Sequence, residues 1–289
     1  MKEKNVLQIS GGLVFWTVRG DTNVDKLAAG LKAMDLEHLA PERTPFTATL
    51  KDALEYELGS ATRLVRPLKS KDGFAVVDEE RGEHRNKYTP VVTAQVDDSG
   101  KVTFTDSTLG KNEQAEILGT FEEFKDQLKP SQVTSTMVKV VTMCSGIALR
   151  PSGALYFLPE KHMAVWRKLA EVVESAGNND CYLVRAPMDK DTLKAVRDGI
   201  TSDTMGAAKV IEEEVENGEL GERALKTRVE QAKALRDRIA EYESLLNTTL
   251  AELREAVDVA ENAAATAVLL ASAKAEKAAA AEKPAKRAA

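Results

Sequence analysis

The feature that most constrains this chain is a run of sixty-two residues, Glu222 to Lys283, without glycine or proline. Apolar residues recur through the run at helical spacing, which predicts an α-helix. A continuous helix of that length would reach roughly 90 Å at about 1.5 Å per residue, beyond the diameter of a small domain. Its apolar stripe therefore needs a partner, which is either another part of the same chain or a second chain.

One heptad frame places the larger apolar side chains of this run at the a and d positions of a coiled coil. The predicted helix-interface residues are Leu225, Leu235, Ile239, Tyr242, Leu246 and Leu253. We therefore expect a long helical, coiled-coil-like segment over residues 204–270 that mediates self-association or partner binding. Because alanine and threonine fill several other core positions, folding back onto the same chain is an open alternative. Residues 271–289 are rich in alanine and lysine, which predicts a disordered tail.

Residues 1–203 predict an α+β domain of antiparallel hairpins with covering helices, because short β-patterned runs alternate with amphipathic ones. Adjacent glycines at Gly11 and Gly12 separate two apolar runs and predict the turn of a first hairpin. Asp97–Gly100 and Pro151–Gly153 predict the turns of two further hairpins. A short helix over Asp191–Asp198 is expected before the long helical segment begins.

Charge and hydropathy bound the environment of the protein. The net charge is −6, and residues 206–261 alone contain fourteen acidic and eight basic residues. No region is basic enough to predict nucleic-acid binding from charge. The N-terminus lacks the apolar stretch of a signal peptide, and no window approaches the ~20 uncharged apolar residues of a membrane span. We expect a cytoplasmic protein without membrane association.

Motifs for catalysis and for metal binding do not emerge from the sequence. No phosphate-binding P-loop motif occurs, and His38, His84 and His162 are too scattered to form a metal site with regular ligand spacing. Cys144 and Cys181 lie in apolar surroundings, which favours two buried thiols over a disulfide. No catalytic residue, metal ligand or cofactor is therefore predicted.

Four arginines are candidates for an anion-binding site. Arg63, Arg66, Arg150 and Arg185 each lie in or beside a predicted strand. If they converge on one sheet face, they could hold a phosphate or carboxylate by bidentate pairing. The alternative is that they point outward and pair with surface acids. A basic C-terminal stretch, Lys283–Arg287, could also contact nucleic acid or an acidic partner.

Five segments carry a resemblance to a known family: Leu13–Val18, Leu50–Leu54, Arg63–Leu68, Pro151–Pro159 and Tyr242–Leu246. In this order they resemble an uncharacterised protein family of bacteriophages and other prokaryotic mobile elements, over about residues 10–260. The resemblance implies a phage-encoded protein that acts in the host cytoplasm. The motifs are structural, so the resemblance assigns no catalytic residue.

The sequence leaves three functional hypotheses. The first is a non-enzymatic interaction protein that forms a homo-oligomer, or docks a host or viral protein, through its long C-terminal helix. The second is a nucleic-acid-associated protein of phage replication or recombination, in which strand arginines and the basic tail contact phosphates. The third is an enzyme with an unrecognised anion-binding site.

Overall fold

The computed structural model describes residues 9–70, 72–82, 86–150 and 153–285, with side chains from residue 11 to residue 273. The strands are β1 (Ile9–Thr17), β2 (Thr22–Asn23), β3 (Arg63–Pro67), β4 (Gly73–Glu80), β5 (Lys87–Val96), β6 (Val102–Thr105), β7 (Gln127–Leu128), β8 (Ile147–Ala148), β9 (Tyr156–Pro159) and β10 (Asp180–Pro187). The α-helices are α1 (Val24–Ala33), α2 (Phe46–Leu58), α3 (Lys111–Phe124), α4 (Pro130–Met143), α5 (Met163–Ala176), α6 (Lys190–Glu216), α7 (Glu222–Leu246) and α8 (Ala251–Ala285). Two 3₁₀ turns span Glu37–Leu39 and Glu160–His162.

The chain divides into two compact units, each built from separated stretches of sequence. Unit 1 comprises the described residues of Met1–Phe15, Val141–Arg167 and Tyr182–Ala289, and unit 2 comprises those of Trp16–Val140 and Lys168–Cys181. The predicted boundary at residue 203 falls inside α6. The α+β class and the antiparallel sheets are as predicted.

Unit 2 is built on a four-stranded antiparallel sheet in the order β3-β4-β5-β6. Helices α2 and α3 bury their apolar stripes on one face of this sheet, where Leu50, Leu54 and Phe121 pack with Val76 and Val92. The predicted β5–β6 hairpin is confirmed, and its turn contains Gly100 at φ +83°. Local patterning therefore suffices for this part of the fold, since each strand pairs with its neighbour in sequence.

Unit 1 contains a second sheet, in the order β10-β1-β9-β8. The strands predicted on either side of Pro151–Gly153 pair antiparallel as β8 and β9, as expected for a hairpin, whereas Pro151 and Ser152 of its turn lie outside the described residues. The predicted turn at Gly11 and Gly12 is wrong, because both glycines lie inside β1 and pair with β9. A Cβ on Gly11 would lie 2.3 Å from Cζ of Phe157, so this glycine serves close packing and not a turn. The strand expected before Gly11 in this hairpin lies mostly outside the described residues. His84 also lies outside the described residues.

The helix expected over Asp191–Asp198 is longer than predicted. It continues as α6 to Glu216 and contains Gly199 in its interior. A Cβ at Gly199 would lie 3.0 Å from the carbonyl oxygen of Ala148. The glycine therefore allows α6 to approach β8 closely, although in the sequence it resembles a helix stop.

The helical segment predicted over residues 204–270 is present, but it is not continuous, because α6 ends at Glu216, α7 ends at Leu246 and α8 begins at Ala251. Asn247 adopts a left-handed conformation, with φ 47° and ψ 46°, and reverses the chain. Helix α8 extends to Ala285, well past residue 270. The structure therefore selects the fold-back alternative, and a coiled coil between chains remains a prediction.

Candidate interaction surface

The link between α7 and α8 is closed by one carboxylate. Glu243 accepts a hydrogen bond from the backbone N–H of Leu250 at 2.8 Å, just before α8 begins, and its backbone oxygen accepts one from Thr248. The guanidinium of Arg254 donates through Nε to both carboxylate oxygens, at 2.9 and 3.0 Å. The hydrogen bond from Arg254, with that from Leu250, lowers the pKa of Glu243 to about 2. The carboxylate is therefore ionised at neutral pH and ties the end of α7 to the start of α8.

Helices α6, α7 and α8 form an antiparallel three-helix arrangement within unit 1. Arg228 pairs with Glu214, and Arg238 pairs with Asp203 at 2.6 Å. Residues later in α7 therefore pair with residues earlier in α6, as expected for antiparallel helices. Arg236 pairs with Asp258 and, at 2.8 Å, with Glu261 on α8. These ion pairs flank an apolar core and set the register of the three helices.

The predicted helix-interface residues lie in the core of unit 1. Five of them, Leu225, Leu235, Ile239, Tyr242 and Leu253, are buried, and Leu246 is partly buried against the same helices. The hydroxyl of Tyr242 also donates to the backbone oxygen of Ser145 at 2.8 Å. Their apolar area is thus covered by the chain itself, which leaves none of these five available to a partner in this conformation.

The opposite face of α8 is exposed and becomes apolar toward its C-terminal part. Exposed positions recur every three to four residues along this face, which we call the docking face: Val259, Asn262, Thr266, Leu269 and Leu270. Leu269 and Leu270 are 72% and 61% exposed, the highest values among the large apolar side chains of α8. Adjacent exposed leucines on a well-packed helix are typical of a contact surface.

The apolar character of α8 also meets the simplest criteria for a membrane helix. Among the described residues, Ala251–Ala273 is the one segment long and apolar enough to cross a membrane by length and composition. Mostly buried core helices of soluble proteins pass the same test, but only 17% of the apolar window of this segment is buried. Leu253, Val257 and Ala260 of the segment are buried in the bundle. The expected absence of membrane association stays a prediction.

The arginines of unit 2 do not share a face. Arg63 and Arg66 are three residues apart on β3, so they lie on opposite faces of the strand. Arg63 forms a two-point hydrogen bond with Asp78 on the neighbouring strand, at 2.7 and 3.2 Å. This pairing raises the pKa of Arg63 and lowers that of Asp78. Arg63 therefore serves strand pairing, whereas Arg66 is exposed.

The arginines of unit 1 lie at opposite edges of their sheet. Arg185 belongs to β10 and Arg150 follows β8, and two strands separate β10 from β8. At about 4.8 Å between strands, the two positions are about 14 Å apart across the sheet. Neither unit thus brings its own two arginines together. The anion-binding hypothesis, and the nucleic-acid role that rests on it, stay predictions.

Burial also shifts the pKa of the two cysteine thiols. Both cysteines are free thiols. Burial raises the pKa of Cys144, with Glu241 adding to it, and raises that of Cys181 to about 12. Both thiols are protonated at neutral pH and are poor nucleophiles. Among the residues that the structure describes, no group of three His, Cys, Asp or Glu side chains could hold a metal ion.

Sequence reasoning missed the residues that close the α7–α8 link. The run has no glycine or proline, yet Asn247 is followed by Thr248 and Thr249, three poor helix formers in succession. Asparagine tolerates the left-handed region better than most residues. This triplet is the signal that could have located the turn, whereas the pairing of Glu243 with Arg254, eleven residues apart, has no counterpart in a helical pattern.

The family of unknown function DUF6744 matches residues 10–279, so the chain belongs to this family. No curated protein and no solved structure matches the chain. The uncharacterised family expected from the sequence is thereby confirmed, and an origin in bacteriophages or mobile elements stays a prediction.

Proposed function

We propose that this protein is a non-enzymatic interaction protein of phage type that docks a partner protein in the host cytoplasm through its C-terminal helix. The exposed pair Leu269 and Leu270 carries this proposal. The apolar stripe expected to make the contact is used inside unit 1, so the docking face is what α8 still offers to another molecule.

Covering this face supplies part of the free energy of binding, and further contacts must offset the cost of association. Full burial of one leucine side chain is worth about 1.5–3 kcal/mol, so two leucines contribute about 3–6 kcal/mol before the cost of association. Since they follow each other on α8 beyond its buried residue Ala264, the complementary surface is an apolar groove or a second helix. The small exposed side chains of Asn262 and Thr266 allow a partner helix to approach closely.

The test replaces the two leucines and compares what the full-length protein binds. The double variant L269E/L270E places two charges on the docking face without touching the core. The matched control is M205E/V210E, which makes the same change at two exposed apolar positions of α6. Both variants are expected to keep the circular dichroism spectrum of the wild type, since surface changes cost within about 0.5 kcal/mol.

Affinity purification from expressing cells, with mass spectrometry, and light scattering of the purified protein give the readout. The proposal expects a specific partner protein that is retained by the wild type and by M205E/V210E and is lost from L269E/L270E. If all three proteins retain the same partners and the same mass, the docking face has no part in binding and the proposal is refuted.

A further inference from the structure

Helix α8 occupies a groove that its own chain provides. Leu253, Val257, Ala260 and Ala264 recur at helical spacing along α8 and are buried, with exposed fractions of 3% or less. They belong to the same apolar cluster as the buried residues of α6 and α7. The groove between α6 and α7 is therefore filled by the apolar face of α8.

The connection that keeps α8 in this groove is short and is held by few hydrogen bonds. It consists of Asn247–Leu250, in which Asn247 is left-handed and Leu250 N–H is held by Glu243. The pairing of Glu243 with Arg254 exists only in the hairpin. In a continuous helix these two residues would be separated by about 16 Å along the axis, at about 1.5 Å per residue.

The chain is also competent to pass through the link as a helix. No glycine or proline occurs between Glu222 and Lys283. The heptad frame of α7 continues in phase into α8, with Leu246 and Leu253 at equivalent positions on either side of the link. If the link became helical, α8 would leave its own groove, and that groove would then be filled best by the identical α8 of a second copy.

We infer that α8 exchanges between two copies of this chain, through opening of the Asn247–Leu250 link into a continuous α7–α8 helix. Each copy then receives the Leu253, Val257, Ala260 and Ala264 face from its partner, with the contacts that its own α8 made. Exchange of an identical element is a low-cost route to a dimer, because only the link changes conformation. The inference goes beyond the proposed docking of a partner protein, because it concerns association between two copies through residues outside the docking face.

Two substitutions at one position test this inference in opposite directions. N247G favours the left-handed turn, since glycine has no Cβ penalty there, and N247A favours the helix. A substitution that changes the equilibrium between the turn and the helical form of one link about tenfold changes the dimer dissociation constant roughly hundredfold, because two links open per dimer. Light scattering across a dilution series of the full chain is expected to show tighter dimers for N247A and weaker dimers for N247G. R254A, which removes the clasp on Glu243, is expected to shift the equilibrium in the direction of N247A.

Crosslinking shows whether the dimer is exchanged. Arg236 on α7 and Asp258 on α8 form an ion pair, so R236C/D258C places two thiols within reach of a short bismaleimide. The hairpin gives crosslinks within one chain, and the exchanged dimer gives crosslinks between chains, which denaturing electrophoresis separates by mass. Each single-cysteine variant controls for reaction at Cys144 and Cys181.

The exchanged dimer predicts that the crosslinks between chains increase from N247G to wild type to N247A. If N247A and R254A stay monomeric, or if they form dimers whose crosslinks remain within one chain, the inference is overturned. L269E/L270E is expected to leave the exchange unchanged. Retention of every partner by L269E/L270E would refute the docking proposal and leave the exchange standing, whereas monomeric N247A and R254A with intact partner binding would refute the exchange and leave the docking proposal standing.

Discussion

Replacement of Ile239 by alanine distinguishes a core residue from an interface residue. Ile239 was predicted to lie in a helix interface, either within the chain or between chains, and the structure places it fully buried at 0% exposure among α6, α7 and α8. Removal of a buried isoleucine side chain loses its transfer free energy and leaves a cavity, which together cost about 2–5 kcal/mol. We therefore expect I239A to lower the free energy of unfolding by that amount.

Urea unfolding followed by circular dichroism at 222 nm measures this change. A loss of about 3 kcal/mol with a urea dependence of about 2 kcal/mol per M moves the midpoint down by about 1.5 M. L269A is the matched control, because Leu269 is 72% exposed and its truncation is expected to change the free energy of unfolding by no more than about 0.5 kcal/mol.

The dependence on protein concentration separates the two roles. A core contact costs the same free energy per chain at every concentration, whereas an interface contact affects stability only where chains associate. An I239A protein with wild-type stability and a reduced mass in light scattering would refute the assignment of Ile239 to the core.

Three further outcomes follow from the packing of unit 1. Y242F removes the hydroxyl that donates to Ser145 and is expected to lower the free energy of unfolding by about 0.5–1.5 kcal/mol in thermal unfolding, since the partly buried carbonyl loses its donor. G11A inserts a Cβ into the ring of Phe157 and is expected to cost about 1–3 kcal/mol, whereas G20A, with open space around it, serves as the control and stays near wild type. Burial lowers the pKa of His162 below 6.5, so the unfolded chain binds its proton more strongly. The contribution of neutral His162 to the free energy of unfolding is complete above about pH 6.5. It is expected to be lost as the pH falls from 6.5 through the lower pKa of the folded state. A difference in free energy of unfolding between H162Q and wild type that stays constant from pH 5 to pH 8 would contradict this.

The strands and hairpins of unit 2 could be predicted because their pairings are local. The turn before β6 carries Asp97 and Gly100, whose side chains and backbone preferences select a turn in any context. Gly11 and Gly199 were misread for the opposite reason. A glycine that admits a neighbouring ring or carbonyl looks the same in a sequence as a glycine that turns or ends a segment, and only the packed neighbour distinguishes them.

The candidate site was predictable in part. The apolar spacing identified Ile239, Tyr242 and Leu253 as residues that must be covered, and they are buried. The same spacing cannot reveal what covers them, because helix α8 of the same chain and a helix of another chain present equivalent apolar stripes. The four arginines show the same limit, since strand membership does not fix which sheet or which edge a residue occupies.

By itself, the sequence determined that residues beyond Glu222 form helix with one apolar stripe, and that this stripe requires a partner. The physical reason is the 3.6-residue period, which sets the stripe without reference to the rest of the chain. Only the tertiary structure decided that the partner is internal. That choice rests on the left-handed Asn247 and on the clasp between Glu243 and Arg254, whose free energy exists only after α7 and α8 have come together.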